Sequence, residues 1–151
     1  MPRRSASGSD VDEIDRRLLA LLREDGRLSI NEVATRASIS RANAYQRLGR
    51  LRETGVIRRF TIDVDHGALG DSITAFVLVD IDQHAWRAMA DTLLTLPGVE
   101  YVAFTTGTFD LVLLVRAPDM QTLRDVVLER LQSMPEVRST QTSFVLEEKR
   151  S

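Results

Sequence analysis

The chain has 151 residues, of which 43% are hydrophobic and 28% are charged, and its formal net charge is −2. This length allows one medium domain or two small ones, and the composition is typical of a globular protein. The sequence contains no cysteine, which excludes disulfides, thiolate nucleophiles and zinc fingers, and we expect neither a metal site nor a cofactor. We expect no membrane span and no secretory signal, which favours a cytoplasmic protein.

The charge is distributed unevenly along the chain. Residues 1–62 contain 13 arginines against eight acids, a net charge of +5, and residues 63–151 contain seven basic groups against 14 acids, a net charge of −7. The stretch 63–71 is rich in glycine and aspartate and suits a linker. The sequence therefore predicts a domain over 1–62, with residues 1–9 disordered, and a second domain over residues 72 to 151 with a different partner.

The first half of the chain has the pattern of three helices followed by a strand. The first helix follows Asp12 and ends at an Asp-Gly pair, since glycine adopts the left-handed conformation that often ends a helix. Ser29 and Glu32 fit a capping box at the start of the second helix. A short turn leads to Ser40, which begins the third helix, so the pattern predicts a helix-turn-helix. Residues 56–62 are predicted to form a strand, as one arm of a wing.

The third helix has a polar, basic outer face. Arginine, asparagine and glutamine can pair bidentately with guanine and adenine in the major groove, and arginines on the following strand suit phosphate. The alternative is that this face is simply solvated. Because these polar and basic residues belong to a helix-turn-helix and the strand after it, together they indicate double-stranded DNA as the partner. The candidate DNA-contacting residues are Ser40, Arg41, Asn43, Tyr45, Gln46, Arg47, Arg50, Arg58 and Arg59.

The second half of the chain alternates between strands and helices. Two units with the same order, strand, helix, proline stop and strand, end their helices at Pro97 and Pro135. Two such units side by side predict a βαββαβ, ferredoxin-like sandwich, and the fold class of the whole chain is then α+β. The predicted strands are 73–81, 99–104, 111–116 and 137–146, and the predicted helices run from about Ala85 to Leu96 and from Pro118 to Pro135.

The first strand of this second half is apolar on both faces. Ala75 and Val77 lie on one face, and Phe76 and Leu78 lie on the other. Because the helices of such a sandwich cover only one face of the sheet, the other face needs a second cover. We expect that cover to be another copy of the chain, in an isologous homodimer. The alternative is that residues 1–62 cover this face.

Several short motifs are specific as a set because of their order and spacing: Asp12-Glu-Ile-Asp15, Asp25-Gly-Arg27, Ser40…Arg47…Arg50-Leu51, Gly55-Val-Ile57, Gly107-Thr-Phe-Asp110, Val115-Arg-Ala-Pro-Asp119, and Pro135-Glu-Val137 leading to Thr140-Gln-Thr142. In these motifs the chain resembles the leucine-responsive regulator/AsnC family of transcription factors, the feast/famine regulators. The resemblance implies a winged helix-turn-helix domain followed by an effector-sensing domain of the RAM/AsnC type. It also implies dimers formed through the sensing domain, frequent assembly into octamers, and an amino acid bound between dimers.

The resemblance also implies an effector site in the second half of the chain. Asp110 can accept hydrogen bonds from an amino-acid ammonium group, while the amides of Gly107 and Thr108 and the hydroxyls of Thr140 or Thr142 can donate to its carboxylate. The alternative is that the glycine serves the geometry of the turn and the aspartate caps it.

Three positions depart from the family pattern, and one of them is Gly49, inside the third helix. Ser38 stands in the helix-turn-helix turn where a glycine is usual, and we expect some backbone strain there. Thr108 replaces an acidic residue that many relatives have, so the effector of the better-known members is not transferred to this chain.

The expected function is that of a sequence-specific transcriptional regulator that binds a partially palindromic operator and responds to a small molecule. One alternative is an enzyme similar to the sirohaem decarboxylases, which resemble this family in fold. Neither His66 nor His84 lies in a catalytic motif, and the DNA-reading residues argue against an enzyme. The other alternative is an effector-sensing assembly module that does not bind DNA, which the positive charge of the first half argues against.

Overall fold

The computed structural model describes residues 11–82 and 86–149 of the chain. Residues 1–9, which we expect to be disordered, lie outside the described residues. The same holds for His84 and for Ala85, the expected first residue of a helix.

The chain divides into two compact units. Unit 1 is Met1–Val64 and unit 2 is Asp65–Ser151. The boundary between them falls within the stretch 63–71, where the sequence changes from net basic to net acidic.

The described part of unit 1 contains three helices, each of which begins at a capping side chain. Asp12, Ser29 and Ser40 each accept a hydrogen bond from the backbone amide three residues later. At the first two of these caps the residue at that third position also bonds back to the cap amide, which completes a capping box. The helices are α1 (Glu13–Glu24), α2 (Ile30–Ala37) and α3 (Arg41–Glu53).

The turn between α2 and α3 has a left-handed residue. Ser38 has φ +57° and ψ +44°, and the amide of Ile39 closes the turn by donating to the carbonyl of Ala34 at 3.0 Å. The left-handed conformation costs a residue other than glycine about 1–2 kcal/mol. Packing of Leu18, Val33 and Ala37, all at most 1% exposed, surrounds the turn with a buried core that keeps the helices together in spite of this cost.

The strand expected over residues 56–62 is not formed. These residues follow α3 in an irregular segment that the amide of Ile57 joins to the carbonyl of Leu51 at 2.9 Å. A strand requires a neighbour to which its amides and carbonyls bond, and the described part of unit 1 contains no strand beside it. The side chains of Phe60 and Ile62 on this segment are exposed.

Unit 2 has the predicted βαββαβ order and forms one sheet. Its strands are arranged β2-β3-β1-β4, and every neighbouring pair is antiparallel. The prediction of an α+β fold with a ferredoxin-like second half is confirmed. The elements are β1 (Ile73–Ile81), α4 (Trp86–Leu93), β2 (Val99–Phe104), β3 (Leu111–Ala117), β4 (Val137–Phe144) and, before β4, a helix α5 made of Met120–Thr122, a π-helical section Leu123–Leu128 and Glu129–Gln132.

Several element boundaries differ from the prediction by a few residues, most clearly those of α4 and β4. Helix α4 ends at Leu93 rather than Leu96, because the amides of Thr95 and Leu96 bond to carbonyls three residues back and tighten the chain before Pro97. Strand β4 ends at Phe144, two residues short of the predicted end.

The two faces of the sheet differ in how far they are covered. On the helix face, Val77 of β1 and Leu113 of β3 are fully buried and pack with Leu93 of α4 and Leu131 of α5. On the other face, the apolar side chains are only partly covered within one chain. They include Phe76 (41% exposed), Tyr101 (54% exposed) and the half-buried Leu78, Val112 and Leu114.

Gly98 lies where β2 begins and where its backbone closely approaches β3. Its φ is +81°, and a Cβ atom at this position would lie 2.2 Å from the carbonyl oxygen of Arg116. We expect Gly98→Ala to lower the free energy of unfolding by about 2–4 kcal/mol, from the left-handed backbone together with the clash, as measured by urea denaturation.

Gly70→Ala is the matched control for this prediction. Gly70 also has a positive φ, +95°, but a Cβ atom there would meet nothing within 4 Å. The Gly70→Ala variant should therefore lose only the backbone cost of about 1–2 kcal/mol in its free energy of unfolding. Equal losses in the two variants would mean that the close approach to β3 is not what requires glycine.

Candidate functional site

Helix α3 separates an inward apolar side from an outward polar side. Ala44 and Leu51 are buried against the other helices of unit 1. On the outward side, two of the candidate DNA-contacting residues, Asn43 and Arg47, are half-buried. The others are exposed: Ser40, Arg41, Tyr45, Gln46 and Arg50. The hydroxyl of Ser40 accepts the amide of Asn43 at 3.1 Å, so this serine caps the helix in addition to any contact it makes with a ligand.

Two of the candidate arginines bind carboxylates of α1 and its cap. The Nη1 atom of Arg47 lies 2.6 Å from Asp12 Oδ2 and 2.9 Å from Asp15 Oδ1, and Nη2 of Arg50 donates to the second oxygen of Asp15. The side chain of Asp15 is 0% exposed, that of Arg47 is 20% exposed and that of Arg50 is 46% exposed. Arg47 is therefore an internal ion-pair partner, while Arg50 combines such a pair with substantial exposure.

Asn43 belongs to the same set of contacts. Its side-chain oxygen Oδ1 accepts a hydrogen bond from Nε of Arg47 at 2.9 Å. Residues four apart on a helix lie on the same face, which allows this bond along α3. The polar contacts thus run from the buried Asp15 through Arg47 to Asn43 on the outward side.

The ion pairs shift the pKa values of Asp12 and Arg47. The pKa of Asp12 is lowered, first by the hydrogen bond from the Asp15 amide and then by Arg47. The pKa of Arg47 is raised by its hydrogen bonds to Asp12 and Asp15. Because the Asp12 carboxyl has a lower pKa in the folded protein, its contribution to stability is present above its ordinary value of 3.8 and is lost as the pH falls through the folded value.

Asp15 is not among the candidate functional residues predicted from the sequence. A signal for it exists, since Asp15 lies four positions after Val11 and three before Leu18, on the apolar stripe of α1. A carboxylate on a buried stripe requires a charged or hydrogen-bonding partner, because an unpaired buried charge is costly. The identity of the partner depends on tertiary packing and is not visible in the sequence.

The remaining candidate residues of unit 1 are Arg58 and Arg59. Both are exposed, but they lie in the irregular segment after α3 and not on the expected strand. Their exposure and charge leave them available to a phosphate group, the role predicted for them from the sequence.

The five candidate effector residues begin at the turn between β2 and β3. Gly107 and Thr108 are exposed in this turn. The turn is closed by the Thr105 hydroxyl, which donates to the carbonyl of Phe109 at 2.6 Å, and by the Thr105 amide, which donates to the carbonyl of Asp110 at 2.9 Å.

Two of the other three candidate effector residues, Asp110 and Thr140, lie near the end of β1, and Thr142 lies opposite its middle residue, Val77. The carboxylate oxygen Oδ2 of Asp110 accepts the amide of Ile81 at 3.0 Å. Thr140 on β4 pairs with Val79 of β1, and Thr142 lies two residues further along β4; both threonines are half-buried. The structure therefore brings Asp110 and Thr140 to the same end of β1, on its two sides, while Gly107 and Thr108 lie at the turn.

A second polar cluster in unit 2 was not found from the sequence. The guanidinium of Arg116, on the face of the sheet away from the helices, donates to Glu100 at 3.0 Å and to Glu148 at 2.9 Å. Burial lowers the pKa of Arg116, but hydrogen bonds with Glu148 and Glu100 outweigh this and raise the pKa above its ordinary value. The ring nitrogens of His66 lie 3.2 Å from the Asp71 carboxylate and 3.3 Å from that of Glu100. Most of these partners are distant in sequence, so spacing alone does not reveal them.

The described part of the chain contains neither a cluster of metal-binding side chains nor a membrane-spanning helix. No group of three or more histidine, aspartate or glutamate side chains there is arranged to bind a metal ion. Within the same residues, no helix is long and apolar enough to cross a membrane.

Comparison with known proteins gives a match for each unit. The family model described as "Lrp/AsnC ligand binding domain" matches residues 74–151, and the model described as "Winged helix-turn-helix DNA-binding" matches residues 11–58. The HTH-type transcriptional regulator AldR of Mycolicibacterium smegmatis is 36% identical over 141 residues, which cover 91% of this chain and 82% of that protein.

Solved structures are similar over nearly the whole chain. A transcriptional regulator of Neisseria meningitidis in complex with L-Met has a TM-score of 0.84 and 29% sequence identity, covering 93% of this chain and 92% of that one. A feast or famine regulatory protein of M. tuberculosis complexed with L-methionine has a TM-score of 0.83 and 31% identity, covering 93% of this chain and 95% of that one.

The buried carboxylate of Asp15 generates a stability prediction. Asp15→Ala removes the common partner of Arg47 and Arg50, and breaking a buried ion pair typically costs 3–5 kcal/mol. Because both arginines are partly exposed and can be hydrated, we expect a smaller loss of about 2–4 kcal/mol in the free energy of unfolding. Glu24→Ala, at an exposed acid of the same helix, should change stability by less than about 0.5 kcal/mol in the same urea titration.

Proposed function

Because the chain belongs to the Lrp/AsnC family of transcriptional regulators, we propose that α3 reads double-stranded DNA at a partially palindromic operator and that an amino acid controls this binding. The names of the family and of the relatives indicate a regulator with a DNA-binding helix-turn-helix, not an enzyme. We further propose that it acts in the cytoplasm, where its DNA partner is located.

The outward side of α3 is the observation that supports DNA reading most directly. Arg41, Tyr45 and Gln46 are exposed there, and the first residues of a recognition helix are those that contact base edges in the major groove. Arg58 and Arg59, exposed on the segment that follows α3, are placed in the proposal as phosphate contacts. Arg50, with nearly half of its side chain exposed, is a further phosphate contact in this proposal.

This part of the proposal predicts which substitutions weaken operator binding. A binding-site selection from random duplex DNA gives the preferred sequence, and gel shifts then measure affinity for it. Gln46→Ala or Arg41→Ala should weaken binding by about 5- to 150-fold if each residue makes a bidentate base contact. Gln132→Ala, at an exposed residue of α5, should leave the affinity unchanged. Binding should also weaken steeply with added salt, and full affinity of both α3 variants would remove α3 from the reading surface.

The second proposal concerns assembly. Phe76, Tyr101 and Leu114 form an apolar surface on the sheet face that the helices do not cover, and a partly exposed surface of this kind suits a copy of the same chain. We propose a homodimer through this face. In a dimer each subunit presents one α3, which accounts for a palindromic operator. Further assembly to an octamer is part of the same proposal and follows the family resemblance.

The dimer proposal is tested by placing a charge on the open face of the sheet. Phe76→Glu should convert the dimer to a monomer, because a carboxylate cannot be buried without a partner. Light scattering coupled to size-exclusion chromatography measures the mass. Leu94→Glu, at a similarly exposed leucine that follows α4, should keep at least the dimer. A Phe76→Glu variant with the wild-type mass would place the interface elsewhere.

The third proposal is the effector. The two neighbours described above are complexes with methionine, and this supports an amino acid as the ligand of this chain. Asp110, Thr140 and the turn with Gly107 and Thr108 are the proposed binding residues, with Thr142 beside them. Since one oxygen of Asp110 already accepts the Ile81 amide, the ammonium of the ligand is assigned to the other oxygen.

Calorimetric titration tests the effector proposal, with L-methionine first and the other amino acids after it. Asp110→Asn retains an oxygen that can accept the Ile81 amide but loses the negative charge. It should therefore lower the affinity for an amino acid about tenfold or more while leaving the melting temperature nearly unchanged. If no amino acid binds to the wild type, the sensing role is wrong.

A further inference from the structure

In the side-chain amide of Asn43, the oxygen accepts a hydrogen bond from Arg47, and the nitrogen takes no part in that bond. We propose that Arg47 is a positioning residue for base recognition: its Nε atom fixes the amide of Asn43 so that the nitrogen, and not the oxygen, faces the DNA. This inference rests on the proposed reading of DNA by α3. It makes Asn43 a hydrogen-bond donor toward the bases, and Arg47 the residue that determines this polarity.

The contact between the two side chains is well defined. Nε of Arg47 lies 2.9 Å from Oδ1 of Asn43, a good distance for a hydrogen bond. Residue 47 is one helical turn after residue 43, so the bond directs the amide oxygen along α3. The amide nitrogen belongs to the same planar group, carries two N–H donors and takes no part in this bond.

Arg47 is itself held in place. Its Nη1 atom donates to Asp12 at 2.6 Å and to Asp15 at 2.9 Å, and Asp15 is fully buried. The Arg47 side chain, 20% exposed, therefore has its charge matched within unit 1. A guanidinium group is rigid and planar, so fixing Nη1 on the two carboxylates also fixes the direction in which Nε donates.

The polarity of Asn43 decides which base it can read. The bidentate contact with adenine needs both amide atoms turned to the base edge, with the oxygen accepting from N6 and the nitrogen donating to N7. With the oxygen bonded along the helix, the two N–H groups of the amide nitrogen match the acceptors N7 and O6 of guanine. The structure therefore predicts guanine rather than adenine at the base pair that Asn43 contacts.

Arg47→Lys tests this without removing the ion pair. Lysine keeps a positive charge within reach of Asp12 and Asp15, but it has a methylene group where arginine has Nε. The wild type and three variants are compared: Asn43→Ala identifies the base pair that depends on Asn43, Arg47→Lys frees the amide, and Arg52→Lys is the control at an exposed arginine of the same helix. The probes are the duplex selected by the wild type and the same duplex with adenine in place of guanine at that base pair.

We expect Arg47→Lys to reduce the preference for guanine over adenine at that one base pair about fivefold or more, with the preferences elsewhere in the site unchanged. Its melting temperature should stay close to that of the wild type, and Arg52→Lys should keep the full preference. In the double variant Asn43→Ala/Arg47→Lys, the lysine should have no additional effect on that base pair.

Two results would overturn the inference. One is an Arg47→Lys variant with the full preference for guanine, which would make Arg47 a purely structural residue. The other is an Asn43→Ala variant whose preferences equal those of the wild type at every position. A wild type that selects no sequence at all has a different meaning, because it overturns the proposed reading of DNA and not only the role of Arg47.

Discussion

The arrangement of unit 1 depends on one buried carboxylate. Asp15 is inaccessible to water, and a buried charge is tolerated only with charged or hydrogen-bonding partners close by. Those partners, Arg47 and Arg50, come from α3, so α1 and α3 must keep one relative orientation for the charge to remain paired. The apolar contacts of Leu18 favour close packing of the helices but are not directional, whereas the two ion pairs are. The carboxylate therefore selects the rotation of α3 about its axis, and with it the residues that α3 exposes.

Local features of the fold could be predicted because their causes are local. The helix starts at Ser29 and Ser40 follow from side chains that accept an amide three residues away, and the order of strands and helices follows from apolar spacing and the proline stops. The segment 56–62 was assigned wrongly for the opposite reason. Its β-branched and aromatic residues suit a strand, but a strand exists only with a partner, and composition says nothing about a partner.

In the candidate site, too, the sequence did not reveal the tertiary partners of the side chains. Helical spacing placed Arg41 and Gln46 on an outward face and Arg47 near its edge, and the first two are exposed while Arg47 is half-buried. Spacing could not show that Arg47 pairs with two carboxylates, because the acids are more than 30 residues away in sequence. The Glu100 carboxylate near His66 was missed for the same reason. What a titratable side chain does is decided by its partners, and here the partners are mainly tertiary.

The strand order of unit 2 has a consequence for how the chain folds. The central strand β1 pairs with β4, and Ala75 lies opposite Phe144, so the sheet cannot close until nearly the whole chain is available. Contacts between residues so far apart in sequence are slow to form, because a large loop must be closed first. The helices of unit 1 all lie within Glu13–Glu53, so their contacts close shorter loops than the pairing of β1 with β4 does. During synthesis, the helix-turn-helix can therefore fold on the ribosome while the sheet that follows is still incomplete.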